Sequence, residues 1–162
     1  MAGSRKYPHV EYNDAIWRKI IDRVTRLDGA HVKVGVISSK GGDAKTDDGI
    51  TMVELAAIHE FGSPAASIPE RSFVRRTLAA KRRAIQQNVN KLARAIVKNT
   101  MGEMRALELL GTWLAQEIKK TITAGPHLPP PLKPATIEAK GSDRPLVDTG
   151  RLVDSITHEV VP

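Results

Sequence analysis

SFVRRTLAAKRRAIQQNVNKLARAIVK, residues 72–98, is the stretch on which the architecture turns. Its large apolar residues Leu78, Ile85, Val89, Leu92 and Ile96 recur at steps of seven, four, three and four. That spacing marks one stripe of an α-helix and not the alternation of a strand. After a break at Thr100 to Gly102 the same rhythm returns through Leu107, Leu110, Leu114, Ile118 and Ile122, and it stops at Gly125-Pro126. Glycine and proline just past the last apolar residue end a helix, and so short a break folds the second helix back along the first. Two long antiparallel helices are expected.

Working upstream, Ser63 to Pro69 is a turn-rich connector, and Thr51 to Phe61 has helical spacing through Met52, Leu55, Ala56 and Ile58. Thr51 and Glu54 stand three apart, as a capping box requires, and Gly62 stops this shorter helix. Before it, Ser39 to Gly49 holds three glycines, three aspartates and two lysines but no apolar side chain larger than Ala44, which predicts an exposed loop over 39–49. His31 to Ser38 alternates, with Val32, Val34 and Val36 on one side, and reads as a half-buried strand. An N-terminal helix is expected over about 10–28, with Ile16, Trp17, Ile20, Ile21, Val24 and Leu27 on one face and Asp28-Gly29 at its end.

Downstream, residues 126–145 hold six prolines, which predicts an ordered arm or partner-seeking loop interrupted by a turn of helix from Pro134 to Lys140. A short capped helix around Thr149 to Val153 and a strand over about 155–161 close the chain. That strand can pair with the one at about 31–38. The expected fold is therefore α+β, two long antiparallel helices and shorter ones packed on a small sheet of the first and last strands. Residues 1–162 are read as one domain.

Composition narrows the function. Apolar residues make up 41% and charged residues 27%, which suits a folded globular chain, while 4% aromatics leave the core to Ile, Leu, Val and Ala. The absence of cysteine excludes disulfides, a thiol nucleophile and a cysteine-ligated zinc. No signal-peptide core follows the basic N-terminus, and no run approaches the roughly 18 apolar residues of a membrane span, so a soluble chain without a membrane partner is expected.

His59-Glu60 lacks the second histidine four residues on that a zinc-protease helix needs, because position 63 is serine. His9, His31, His59, His127 and His158 fall in different elements and read as satisfied or exposed side chains rather than ligands. Neither a Gly-x-Ser-x-Gly elbow nor a phosphate-binding glycine loop occurs. The sequence predicts no catalytic residue, metal or cofactor, and no enzyme.

The formal charge is +7, from 25 basic and 18 acidic residues. Arg71, Arg75, Arg76, Lys81, Arg82, Arg83, Lys91, Arg94 and Lys98 follow one another with no acidic residue between them. Such a one-signed helix face is either solvated or turned to phosphates or an acidic neighbour. Phe73 is the only ring in the run, which disfavours a single-strand binder, and the paired helices are each too long for a helix-turn-helix.

Two segments carry a resemblance. Glu54-Leu-Ala-Ala-Ile-His-Glu-Phe-Gly62 with Ile68-Pro-Glu-Arg-Ser-Phe-Val-Arg-Arg76 resembles the paired signature of phage virion-morphogenesis and tail-completion proteins. Pro145-Leu-Val-Asp-Thr-Gly-Arg-Leu-Val-Asp-Ser-Ile-Thr157 resembles their ending. The motif residues are His59, Glu60, Phe61, Gly62, Pro69, Arg71 and Phe73 in the first, and Leu146, Asp148, Thr149, Gly150, Leu152 and Ser155 in the second. On physical grounds they are corners of a fold: Gly62 lets the chain reverse and place Phe61 in the core, Pro69 fixes an extended lead-in, Phe73 anchors the long helix, and Asp148 or Thr149 caps the short one.

The resemblance implies a structural virion protein of the neck or tail, assembled in the host cytoplasm and needed to join tail to head. It implies a closed ring of the chain with itself, of about six subunits. It also implies contacts with a tail-terminator or tail-tube protein on one side, a head-side connector on the other, and possible contact with packaged DNA. The alternative is a basic helical nucleic-acid-binding protein using residues 71–98.

Overall fold

The structure, a computed structural model, describes residues 14–124, 128–141, 143–146 and 150–162. It is α+β: α1 (Asp14–Thr25), β1 (His31–Val36), α2 (Met52–Phe61), α3 (Phe73–Val97), α4 (Glu103–Thr123), α5 (Pro134–Lys140), α6 (Arg151–Ser155) and β2 (Ile156–Val161). β1 and β2 pair antiparallel, from His31 opposite Val161 to Val36 opposite Ile156. The first and last strands among the described residues thus meet in one two-stranded sheet.

A sheet of two strands is marginal unless something covers a face. Here α4 lies across it, and its inward residues Ala115, Ile118 and Ile122 share a buried cluster with Phe73, Leu128 and Ile156. Val34 and Val36 pack against that cluster, so the alternation seen in the sequence does select the covered face of β1. Gly111 of α4 faces His158 of β2 and Val32 of β1. A Cβ there would meet the His158 ring at 2.4 Å and Val32 Cγ1 at 2.9 Å.

α3 runs antiparallel to α4. The hydroxyls of Thr77 and Thr121 are 2.7 Å apart, and one turn further on the Lys81 ammonium sits 2.6 Å from Glu117. Lys120 reaches the other oxygen of that buried carboxylate at 2.9 Å. These two hydrogen-bonded cations hold the Glu117 carboxyl below its ordinary value of 4.5. The flank of α3 that α4 covers is led by Phe73, Thr77 and Ile96, so Leu78 and Val89 on the expected stripe stay partly exposed.

Thr51 and Glu54 form the capping box at the start of α2, with the Thr51 N–H donating to the Glu54 carboxylate at 2.8 Å and the Glu54 N–H donating to the Thr51 hydroxyl at 3.2 Å. Those bonds to Thr51 hold the Glu54 carboxyl below its ordinary value. The loop expected over 39–49 is exposed but tightly folded. Backbone bonds Gly42 N–H to Ile37 O, Val53 N–H to Gly42 O and Met52 N–H to Ala44 O tie it to its own flanks, and Gly42 is buried. Glycine and Asx-rich composition set turn geometry here rather than freedom.

α6 starts at Arg151, with Gly150 at φ +80° before it; Asp148 and Thr149, expected as caps, lie outside the described residues. The apolar face of α1 is largely in solvent, with Ile16, Trp17, Ile21 and Val24 exposed. α1 touches the body mainly at α3, where Arg23 Nη1 donates to Val97 O at 3.4 Å.

Gly111→Ala should destabilise the protein by about 1–3 kcal/mol, because the added methyl forces α4 off the sheet; urea unfolding measures it. Glu117 gives a pH signature as well. A carboxyl depressed on folding contributes fully above its unfolded value, and the contribution falls as the pH drops from near 4.5 through the lower folded value. Melting temperature followed across acid pH should therefore fall more steeply for the wild type than for Glu117→Gln.

Candidate functional site

At the corner between α2 and α3 the chain must solve a helix-terminus problem. The first N–H groups of α3 have no partner within the helix, and Ser72, directly before it, provides no side-chain cap. Glu60, from the last turn of α2, supplies the acceptor. Val74 N–H donates to its Oε2 at 2.9 Å and Arg75 N–H to its Oε1 at 3.0 Å. A carboxylate at a helix N-terminus also meets the positive end of the helix dipole.

Arg75 closes the lock. Its Nε donates to Glu60 Oε1 at 3.0 Å, and its Nη2 donates to the Glu60 carbonyl at 2.7 Å and to Glu70 at 3.0 Å. Its guanidinium carbon stands 4.9 Å from the centre of the Phe61 ring. Phe61 is therefore not a core residue. It is 65% exposed, whereas Glu60 beside it is 6% exposed. The correction has a clear cause: adjacent residues on a helix cannot face the same way, and two backbone donors and an arginine hold Glu60 inward.

Gly62 has φ +77° and ψ 168°, and a Cβ on it would lie 2.8 Å from Glu70 N. Glycine is thus required for the reversal, as the sequence suggested. Beyond the Ser63–Ile68 bridge, the Arg71 N–H donates to the His59 carbonyl at 2.8 Å, which brings Phe73 fully into the core. The buried Arg71 side chain donates from Nε and Nη2 to the carbonyl of Pro130 at 3.2 and 3.1 Å. Burial pulls this guanidinium below its ordinary value, though it remains a cation at any pH the fold meets.

That contact changes the reading of the proline-rich arm. Its base is fixed, with Leu128 buried in the core and Pro130 held by Arg71, while Pro134 to Thr136 are exposed. In the C-terminal motif, Leu146 packs against the core at φ +66°, Leu152 is buried, and Ser155 Oγ donates to Leu152 O at 2.8 Å where α6 turns into β2. Pro69 lines a cleft of about 810 Å³ between the 46–50 loop, α2, the arm and α6. Ile50, Leu55, Leu132 and Leu152 line it, together with Asp47, Asp48, Arg71, Lys133 and Arg151.

The structure separates the basic run into roles. Arg71 and Arg75 serve the corner and Lys81 serves Glu117. Arg76, Arg82, Arg83, Lys91, Arg94 and Lys98 are exposed and make no side-chain hydrogen bond or ion pair with another described residue. His31 bonds Gly29 O and His158 stands 3.0 Å from Glu108, three register positions apart on the paired strands. Among the described residues no three His, Asp or Glu groups gather as a metal site; His9 and His127 lie outside them.

The sequence reading missed Glu117, an acid next to Ile118 on the apolar side of α4, and the inward role of Glu60. Glu60→Ala should cost about 2–3 kcal/mol, since two helix donors and Arg75 lose their acceptor together. Glu60→Gln, which keeps an acceptor oxygen, should lose roughly half as much on the same hydrogen-bond scale; chemical denaturation separates the two. No protein family matches the chain, and no curated protein or solved structure matches it.

Proposed function

We propose that this chain is a non-enzymatic structural subunit of a tailed-phage virion, acting in the neck as a tail-completion protein that lets tails join heads. The observation that carries the reading is the use made of the signature residues. Glu60, Arg71 and Arg75 hold backbone and one another, Gly62 makes the reversal and Phe73 fills the core. The polar groups of the signature therefore set a shape, as expected of a part that works by fitting its neighbours.

In this reading the chain forms a closed ring of about six copies by head-to-tail contacts. One side meets a tail-terminator or tail-tube ring and the other a head-side connector, with assembly in the host cytoplasm. The exposed outer part of the arm and the 39–49 loop are the elements placed to reach them. No helix among the described residues is long and apolar enough to cross a membrane.

The five exposed cations on α3 with Lys98 just past its end favour a second reading, duplex binding through phosphates, which would show as an affinity that falls steeply with salt. The neck reading requires no such affinity of the isolated chain. Phage particles assembled without this protein should accumulate as filled heads and separate tails, and adding purified protein should join them. Infectious, fully joined particles made in its absence would overturn the proposal.

A further inference from the structure

We infer that the cleft between the 46–50 loop, α2, the arm and α6 is a binding site for an aliphatic carboxylate whose anionic end meets Arg71. Three charged side chains are buried among the described residues, Glu60, Arg71 and Glu117. Glu60 has Arg75 as its counterion, and Glu117 has Lys81 and Lys120. Arg71 has none: the one partner of its side chain among the described residues is the neutral carbonyl of Pro130. A charge taken out of water without an opposite charge is costly, and a ligand that supplies that opposite charge relieves the cost. Burial accordingly acts on this guanidinium with no nearby carboxylate to offset it.

The remaining donors of Arg71 have the geometry for a carboxylate. Nε and Nη2 point side by side at Pro130 O, at 3.2 and 3.1 Å, and use one hydrogen each. A guanidinium carries five N–H hydrogens in a rigid plane, so two on Nη1 and one on Nη2 are left over. The Nη1 and Nη2 hydrogens at the tip form a second fork, the shape that takes both oxygens of one carboxylate. A lysine ammonium would offer the charge without the fork.

The rest of the cleft fits the body of such a ligand. Arg71 lines it together with Leu55, Leu132, Leu146 and Leu152, and its volume is about 810 Å³. The other charges there lie in solvent: Asp47, Asp48, Lys133 and Arg151 are all exposed, and Asp47 forms a pair with Arg151 at 3.7 Å. Water and salt weaken exposed charges of both signs, whereas a buried cation acts at lower dielectric. The charge that selects the ligand is therefore that of Arg71. Because leucines share the lining with the guanidinium, an anion with an aliphatic body is favoured over inorganic phosphate. The same chemistry comes as a free aliphatic acid or as a glutamate between aliphatic residues of a partner's chain. Neither source depends on the neck reading.

Nuclear magnetic resonance titration of the full chain tests the site, with hexanoate, hexanamide and inorganic phosphate as probes. Hexanoate should shift the Arg71 Nε–Hε signal and the methyls of Leu55, Leu132 and Leu152 together and to saturation. Hexanamide and phosphate at the same concentrations should not. Arg71→Lys, which keeps the cation and loses the fork, should weaken hexanoate binding by at least about tenfold, the worth of one charge-assisted hydrogen bond. If that variant does not fold, Leu132→Glu, which places a carboxylate of the chain's own in the cleft, should abolish binding. Hexanoate without effect, hexanamide or phosphate saturating the same signals, or a folded variant that binds as wild type does would overturn the site. A blocked five-residue peptide with one glutamate among leucines and valines separates the sources. An affinity at least about tenfold above that of hexanoate makes the ligand a segment of a partner, and no gain makes it a free acid.

Discussion

The carboxylate of Glu60, turned inward and shared by the N–H groups of Val74 and Arg75 and the Arg75 side chain, fixes how the longest helix leaves its corner. A helix N-terminus carries donors that its own residues cannot satisfy, and leaving them without partners in a buried corner costs as much as the hydrogen bonds themselves. With Glu60 in place, α3 begins at Phe73 and that ring enters the core at once. The direction of α3 then determines where α4 returns, and α4 is the element that covers the sheet.

The fold is thin, one two-stranded sheet under one helix with a second alongside, so a large share of its apolar residues remains at or near solvent. α1 is the extreme case, a helix whose apolar face has little of its own chain to lie against. The polar residues nearest the corner are already engaged in holding backbone.

Much of this was legible from residue order. Leu107 to Ile122 and residues 72–98 announced their helices by period alone, and Val32, Val34 and Val36 announced the covered face of the strand. Thr51 with Glu54 gave the capping box to the residue. Phe61 misled because hydrophobicity speaks for the ring and not for helix phase, which the bonds to Glu60 decide. The arm was legible as far as its helical turn at Pro134–Lys140, but six prolines do not say that Arg71, about sixty positions earlier, would bind its carbonyl. Long-range pairs such as Lys81 with Glu117 have no local period and so leave no trace in one sequence.

The central claim is that this chain works as a ring seated between head and tail, its faces matched to copies of itself and to neighbouring rings. Electron cryomicroscopy of the intact particle's neck addresses that most directly. The account predicts a closed ring of this fold around the channel. A neck fully accounted for by other chains, with no density of this fold, would contradict it.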